Sequence, residues 1–519
     1  MSELLQVAAG IVLVLAAWLI PRHVAKARMA GLPAALLDLS PVLLAAGLLA
    51  AASGRPIFTG LALLSLGAGF ALADRTKREA LREPVVFSDM SELPHVFTHP
   101  QLYLPFAGAG LVTGGALATI AFGIALLSVE PPLWPPDVPL IVVLAAVVGA
   151  AGWVISREPA LGLAAGALRR LDPIDEPLAD AARLGPFAIL LVYGIIARAE
   201  RSARRVRHAP PPGPALVSAA AAVPLVVVQC ESFFDARRVS SCVPDDLLPG
   251  FDDCRRHGAT FGRLEVAGWG ANTMRAEFAV LTGIPERDLG YDRFNPYHAF
   301  ARAPVASLAW RLRNEGYSTV CLHPFDRRFF RRDLTLTALG FETFLGRECL
   351  GGSRRAPYRS DPDLAHQVLR VLDEIGPRSF IFVITMGNHG PWFEAGPPID
   401  THLRQRFDPA GLPQGGQFLR YLDGLTRSDE MLRILAEGLG PRGRDGMLGF
   451  YGDHQPSLPE AFSHFSFNEW ASDYILVDGV ASSARRLDMP AAHLPRVILD
   501  RLRERNAVAG RRAVALGAA

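Results

Sequence analysis

Apolar and polar positions divide the chain into two unlike halves. Uncharged runs cover Leu4 to Ile20, Pro33 to Ala52 (broken only by Asp38), Ile57 to Ala73, Leu104 to Val129 and Val138 to Ser156. Each is about long enough to cross a hydrocarbon core roughly 30 Å thick as a helix, which predicts five membrane spans. A sixth apolar run, Leu184 to Ala197, is shorter and carries Gly185-Pro186 at its start; it either lies at the interface or crosses a thinned bilayer. No small-residue cleavage site follows the first run before Pro21-Arg22-His23, so that run reads as a retained helix rather than a signal peptide.

From about Ala221 the periodicity changes to short β-rich runs separated by helical stretches and Gly/Pro/Asp turns, the pattern of an α/β fold with a mostly parallel sheet. The expected organisation is a transmembrane domain over 1–200, a basic and Pro-rich linker over 201–220 that includes His208 to Pro214, a catalytic domain over 221–505 and a tail over 506–519. Asn506 to Ala519 has no clear apolar period and is expected to fray.

Composition sharpens this division. Half of the 519 residues are hydrophobic and the mean hydropathy is +0.22, as for a chain partly in lipid. The net charge of +2 points to no partner, and no basic stripe interleaved with aromatics lies outside the membrane flanks, so nucleic acid is not expected. Cys230, Cys242, Cys254, Cys321 and Cys349 form no CxxC pair, which argues against a thiolate metal site. Cys242 and Cys254 are either a disulfide pair in an exported domain or free buried thiols.

Four of the β-rich runs end in chemistry. Val223 to Cys230 is followed by Glu231, Tyr317 to Leu322 by His323, Phe380 to Met386 by Gly387-Asn388-His389, and Met447 to Tyr451 by Gly452-Asp453-His454. Ligand sites of open parallel sheets form outside the carboxyl ends of the strands, so these residues are expected to share one crevice. Carboxylates and imidazoles there suit a divalent cation: Mn²⁺, Mg²⁺ or Zn²⁺. A polar turn residue or helix cap would explain any one of them alone; four in register do not read that way. Thr273, on the glycine-rich turn Gly268 to Asn272 before a predicted helix, would sit at a helix N-terminus that favours anions. Its hydroxyl needs activation to act as a nucleophile, and a bound cation supplies it.

The motifs E-S-F-x-D, G-x-x-A-N-T-x-R-A-E-F, H-P-F-D-x-x-F-F-x-R-D-L, T-x-x-N-H-x-P and Y-G-D-H-x-P occur in that order over about Ala221 to Asp500. Together they resemble the lipoteichoic acid synthase and periplasmic-glucan phosphoglycerol transferase family of the alkaline phosphatase/sulfatase superfamily. The resemblance implies a metal-dependent phosphoglycerol transferase, with phosphatidylglycerol as lipid donor and an envelope glycan or glycolipid as acceptor. It implies Glu231, Thr273, Asp453 and His454 as metal ligands, usually for manganese, and Thr273 as nucleophile. It places His323, Phe330, Arg332 and His389 in the phosphoglycerol site, with Phe330 where the family often has Trp. Physically, His323 and His389 are both able to donate hydrogen bonds or protonate a leaving oxygen, and His389 is the preferred proton donor to the leaving group. One departure is Phe325, where the family has an acidic residue; Asp326 is offset by one. Arg275 and Glu277 are expected to pair with each other near the helix start.

The same superfamily leaves open a phosphoethanolamine transferase, or a hydrolase of the phosphodiesterase or sulfatase type. The sulfatase form is disfavoured because Cys242-Val-Pro-Asp-Asp lacks the Arg of that signature. Positive charges after the first and third runs favour an outside N-terminus, and Arg198 to Arg207 argues against export after the sixth run. The resemblance argues the other way: an inner-membrane protein with its catalytic domain in the periplasm.

Overall fold

The computed structural model describes residues 2–28, 30–135, 138–211, 222–257, 259–350, 359–393, 398–440, 443–478 and 484–517. The chain forms two compact units, Met1–Ser202 and Ala203–Ala519.

In the first unit, four single helices are long and apolar enough to span a bilayer: Glu3–Val24, Leu32–Ser53, Pro56–Leu81 and Ala109–Val129. The run expected from Leu104 is interrupted. Gly108, at φ 80°, separates Leu104–Ala107 from Ala109–Val129, a turn that suits the residue without a Cβ. The fifth run forms Val138–Ile155 and reaches span length only with Ala160–Arg169, across an 85° bend. The sixth behaves likewise: Pro177–Leu184 meets Pro186–Arg207 at 120°. Four spans are therefore plain among the described residues, or up to six if each bent pair is one span. The first and third helices touch through small residues; a Cβ on Gly67 would lie 2.4 Å from the Ala17 carbonyl oxygen.

The linker expected from residue 201 begins instead inside the Pro186–Arg207 helix. No proline interrupts the sequence between Phe187 and Ala209, and arginines in a last turn face the negative end of the helix dipole favourably. Residues 212–221 of the expected linker lie outside the described residues.

The second unit is built on a nine-stranded sheet. Its strands are β1 (Leu225–Cys230), β2 (Thr260–Glu265), β3 (Ser318–Leu322), β4 (Thr343–Leu345), β5 (Ser379–Ile384), β6 (Met447–Gly452), β7 (Ser472–Val477), β8 (Arg485–Arg486) and β9 (Met489–Pro490). The order is β4-β3-β5-β1-β6-β7-β2-β8, with β9 beside β2. From β4 to β6 all neighbours are parallel; β7 runs antiparallel to β6 and β2. The four runs predicted to end in chemistry are thus β1, β3, β5 and β6, adjacent and parallel. Alternation puts Val226, Val228, Ile381 and Val383 into one apolar core and Leu225, Val227, Phe380 and Phe382 into another. Burial on both faces is why these strands read as continuous apolar runs.

The expected tail is helical: Leu494–Gly517 continues through it. Asn506 anchors this helix, its Nδ2 donating to Tyr317 Oη (2.9 Å) and its Oδ1 accepting from Val223 N (2.9 Å). Those bonds outweigh the missing apolar period. Cys242 is free and exposed and Cys254 free and buried, so they form no disulfide.

Candidate active site

Each strand end hands its polar residue to the crevice through a constrained turn. Glu231 follows β1 and is succeeded by Ser232 in the left-handed region (φ 55°). Asp453 follows β6 after Gly452, whose position cannot take a side chain because a Cβ would lie 1.7 Å from the Phe233 carbonyl oxygen. Thr273 opens the Thr273–Thr282 helix after Asn272 at φ 70°, and Arg332 opens Arg332–Ala338 after Phe330 and Arg331, both left-handed. Such backbone costs about 1–3 kcal/mol per residue and persists only where the surroundings hold it.

Glu231, Asp453 and His454 form a buried group whose ligand atoms all lie within 4.8 Å of one another. His454 Nδ1 is 2.9 Å from the Gln455 carbonyl oxygen, which assigns the proton to Nδ1 and turns the Nε2 lone pair inward. Nε2 is 3.3 Å from Asp453 Oδ2, 3.5 Å from Glu231 Oε1 and 3.4 Å from Thr273 Oγ1. The loop before Thr273 is tied to the loop after His454: Gly270 N donates to Gln455 O at 3.2 Å.

The donor set fits a divalent cation. Asp453 Oδ1 accepts from Ser232 N and His454 N, both at 2.9 Å, whereas the buried Oδ2 has no hydrogen-bond partner among the described residues. A buried acceptor left open is costly unless something positive meets it. Burial, and next the Asp453 charge, push the Glu231 carboxyl up to about 8, as expected where two carboxylates share a low-dielectric site. His454, with its other nitrogen bonded to a carbonyl, is oriented as metal-bound imidazoles are.

Beside this group, His323 Nδ1 donates to the Ile384 carbonyl oxygen (3.1 Å), and its Nε2 accepts from Arg332 Nη1 (3.2 Å). Burial, and next the Arg332 charge, hold His323 well below the usual imidazole range. It is therefore a neutral acceptor for Arg332, where the sequence suggested a hydrogen-bond or proton donor to substrate. The Arg332 guanidinium lies 5.3 Å from the Phe330 ring centroid. His389 Nδ1 bonds the Gly390 carbonyl oxygen; burial lowers its pKa, and the Asp453 charge opposes that shift. Neutral His389 keeps Nε2 as an acceptor.

Two further expectations are corrected. Glu277 pairs with Arg332 (Nη2 to Oε2 3.0 Å), while Arg275 Nε donates to the Phe294 carbonyl oxygen. Asn388 serves the fold: Trp392 Nε1 donates to its Oδ1, and its Nδ2 donates to the Tyr421 carbonyl oxygen. At the offset motif, Phe325 is buried, and Asp326 Oδ1 accepts from Arg328 N at 2.9 Å in the adjoining loop. Thr385, whose Oγ1 accepts from Glu231 N (3.0 Å), and Ser232, whose Oγ donates to Glu231 Oε1 (2.9 Å), were not anticipated.

The sulfatase family model matches residues 225–486, which takes in every residue of this crevice. The chain belongs to the sulfatase family. The resemblance to the lipoteichoic acid synthase-like branch of the alkaline phosphatase/sulfatase superfamily stands with it. The Rhizobium meliloti (strain 1021) capsular polysaccharide biosynthesis protein RkpI is 31% identical over 470 residues, covering 87% of this chain and 81% of the relative. A second Rhizobium meliloti protein, whose name assigns it to cyclic β-1,2-glucan modification, is 29% identical over 243 residues, 46% of this chain and 36% of its own length. Among solved structures, the Streptococcus pyogenes phosphoglycerol transferase GacH in complex with sn-glycerol-1-phosphate aligns with TM-score 0.43 at 20% identity, over 59% of this chain and 80% of that one. This sulfatase-family chain is an enzyme of phosphate or sulfate esters, with a soluble catalytic domain and apolar membrane helices.

Proposed function

We propose that the protein transfers phosphoglycerol from phosphatidylglycerol to an envelope glycan or glycolipid through a glycerophosphoryl-Thr273 intermediate. The observation that carries this reading is Thr273 Oγ1 standing beside the inward-facing Nε2 of His454, at the edge of a buried carboxylate pair with an open acceptor oxygen. Glu231, Thr273, Asp453 and His454 would hold the cation, manganese by the family resemblance. When bound, such an ion lowers the pKa of the threonine hydroxyl and offsets charge on phosphoryl oxygens.

In the first step the Thr273 Oγ–P bond forms as the P–O bond to diacylglycerol breaks, and one proton passes from Thr273 to the departing oxygen. In the second, an acceptor hydroxyl forms its own O–P bond, the Thr273–P bond breaks, and the acceptor's proton returns to Thr273. His389, neutral with Nε2 open, suits the relay in both directions: protonated on the way to the leaving group, deprotonated before the incoming hydroxyl. Arg332 meets the phosphoryl oxygens with its guanidinium fork. The names of the two Rhizobium relatives, in capsular polysaccharide biosynthesis and glucan modification, support a glycan acceptor. Envelope acceptors in turn place the catalytic domain in the periplasm, anchored in the inner membrane.

Headgroup-labelled phosphatidylglycerol, supplied to the purified Mn²⁺-loaded protein with envelope glycans, tests the reading. Label appearing on glycan supports it; label released only as free glycerol phosphate makes the protein a hydrolase instead. For the location, an alkaline phosphatase reporter fused after Ala519 should be active, and an inactive one would put the domain in the cytoplasm.

A further inference from the structure

The R-A-E-F part of the Thr273 motif has no role in the chemistry above, yet its glutamate is among the most heavily bonded side chains of the catalytic unit. Glu277 is fully buried. It lies one helical turn after Thr273, and residues four apart share a helix face. Its Oε1 accepts from the Tyr297 hydroxyl, and its Oε2 accepts from Gln229 Nε2 at 3.2 Å. The Gln229 amide is oriented in turn by the Tyr451 hydroxyl, 2.6 Å from its Oε1. Gln229 stands two residues before Glu231 on β1, and Tyr451 two before Asp453 on β6. The carboxylate is thus anchored to the strands that carry the proposed metal ligands and to the helix that carries the proposed nucleophile.

Onto this anchor the structure docks Arg332. Nε and Nη2 face Glu277, at 3.3 and 3.0 Å from Oε2, so the carboxylate holds the guanidinium by its side edge. Nη1 gives one hydrogen to His323 Nε2 at 3.2 Å. A guanidinium has five N–H donors, so these bonds leave one on Nη1 and one on Nη2. One donor on each terminal nitrogen is what an end-on fork needs to match two oxygens of a phosphoryl group.

We propose that Glu277 is a positioning residue: it fixes Arg332 by its side edge so that the end-on fork meets the phosphoryl oxygens at a set distance from Thr273. This rests on the phosphoryl-transfer reading of the crevice. A lysine at 332, or a guanidinium free to rotate, would supply the charge without the two-pronged geometry.

The test compares full-length, Mn²⁺-loaded wild type with Glu277→Asp, Glu277→Gln and Arg332→Lys in detergent. Glu277→Asp keeps the buried charge pair and withdraws the carboxylate by one methylene, so it stays folded where Glu277→Gln, which unpairs Arg332, could unfold. Calorimetry follows binding of inorganic phosphate and of sn-glycerol phosphate, beside metal content and thermal unfolding. The expected result is metal content equal to wild type, with both anions bound at least about tenfold more weakly in all three variants, and KM for phosphatidylglycerol raised more than kcat is lowered. Wild-type anion affinity in a folded, metal-loaded Glu277→Asp protein overturns the proposal, as does loss of metal together with anion binding, or a wild-type protein that binds neither anion. Anion binding needs no turnover. A wild type that binds phosphate through this fork but transfers no phosphoglycerol therefore sinks the transfer reading and leaves the role of Glu277 standing.

Discussion

Buried carboxylates occur in both units, and those of the apolar unit contrast with the pair at the strand ends of the catalytic crevice. In the apolar unit, Asp38 Oδ2 accepts from Trp18 Nε1 and Arg22 Nη1, both at 2.7 Å, and Oδ1 accepts from the backbone N–H groups of Phe187 and Ala188 at 2.8 and 3.0 Å. Glu130 is used as fully, accepting from Gln6 Nε2 and from Ile57 N and Phe58 N, each at 2.8 Å. These acids cap helix starts and tie helices together where water is scarce. In the catalytic crevice, Asp453 Oδ2 meets no donor among the described residues, and Glu231 is pushed up by burial and by its neighbour's charge. A saturated buried acid reads as architecture. A buried pair at strand ends with one acceptor oxygen left open reads as a place made for something else.

That contrast can be broken first at the nucleophile. Thr273→Ala removes one half-buried hydroxyl at a helix start, so stability should fall by at most about 1–2 kcal/mol, while transfer drops at least about a thousandfold. Comparable turnover in a folded variant would remove Thr273 from the chemistry. Asp38→Ala should do the reverse. It leaves Arg22 buried and unpaired, costing about 3–5 kcal/mol, visible as a lower melting temperature in detergent, with Mn²⁺ affinity of the remaining folded protein unchanged.

A smaller effect sharpens the contrast within the catalytic unit. Asp361 accepts from Ser428 Oγ (2.8 Å) and Gly387 N (3.2 Å), beneath the loop that carries His389. Burial raises it from 3.8 to about 6, against these hydrogen bonds. The folded protein therefore holds this proton more tightly than the unfolded chain. The resulting stabilisation is complete below about pH 4 and is lost as pH rises through about 6, on the order of 2–3 kcal/mol. Thermal unfolding of Asp361→Asn between pH 4 and 7 should lack that slope; an unchanged slope would assign the proton elsewhere.

Much of this was legible in the chain. β1, β3, β5 and β6 were readable because burial on both faces leaves uninterrupted apolar runs, and a polar residue immediately after such a run has few places to go but the crevice. Spans were harder. Hydropathy counts apolar residues but does not show the bend after Ile155 or before Pro186, and it treats Arg201 to Arg207 as linker although helix continues through it. Partner choice was the least legible. Glu277 sits two residues from Arg275, and no spacing rule reveals that Arg332, 55 residues on, is its partner, because that pairing is made by the sheet. A signal was present in Gln229: a lone amide in Val226 to Cys230 has to satisfy itself inside the core, and a buried polar partner had to exist.

The central claim is that Glu231, Asp453 and His454 form a divalent-cation site, and metal binding tests it without any assumption about substrate. Full-length wild type, stripped with a chelator and titrated with Mn²⁺ by calorimetry, should bind the ion with a stabilising rise in melting temperature. Asp453→Asn, Glu231→Gln and His454→Ala, each shown to be folded, should each weaken that binding by at least about tenfold. Mn²⁺ affinity equal to wild type in all three folded variants would contradict the account, and the open oxygen of Asp453 would then need another explanation.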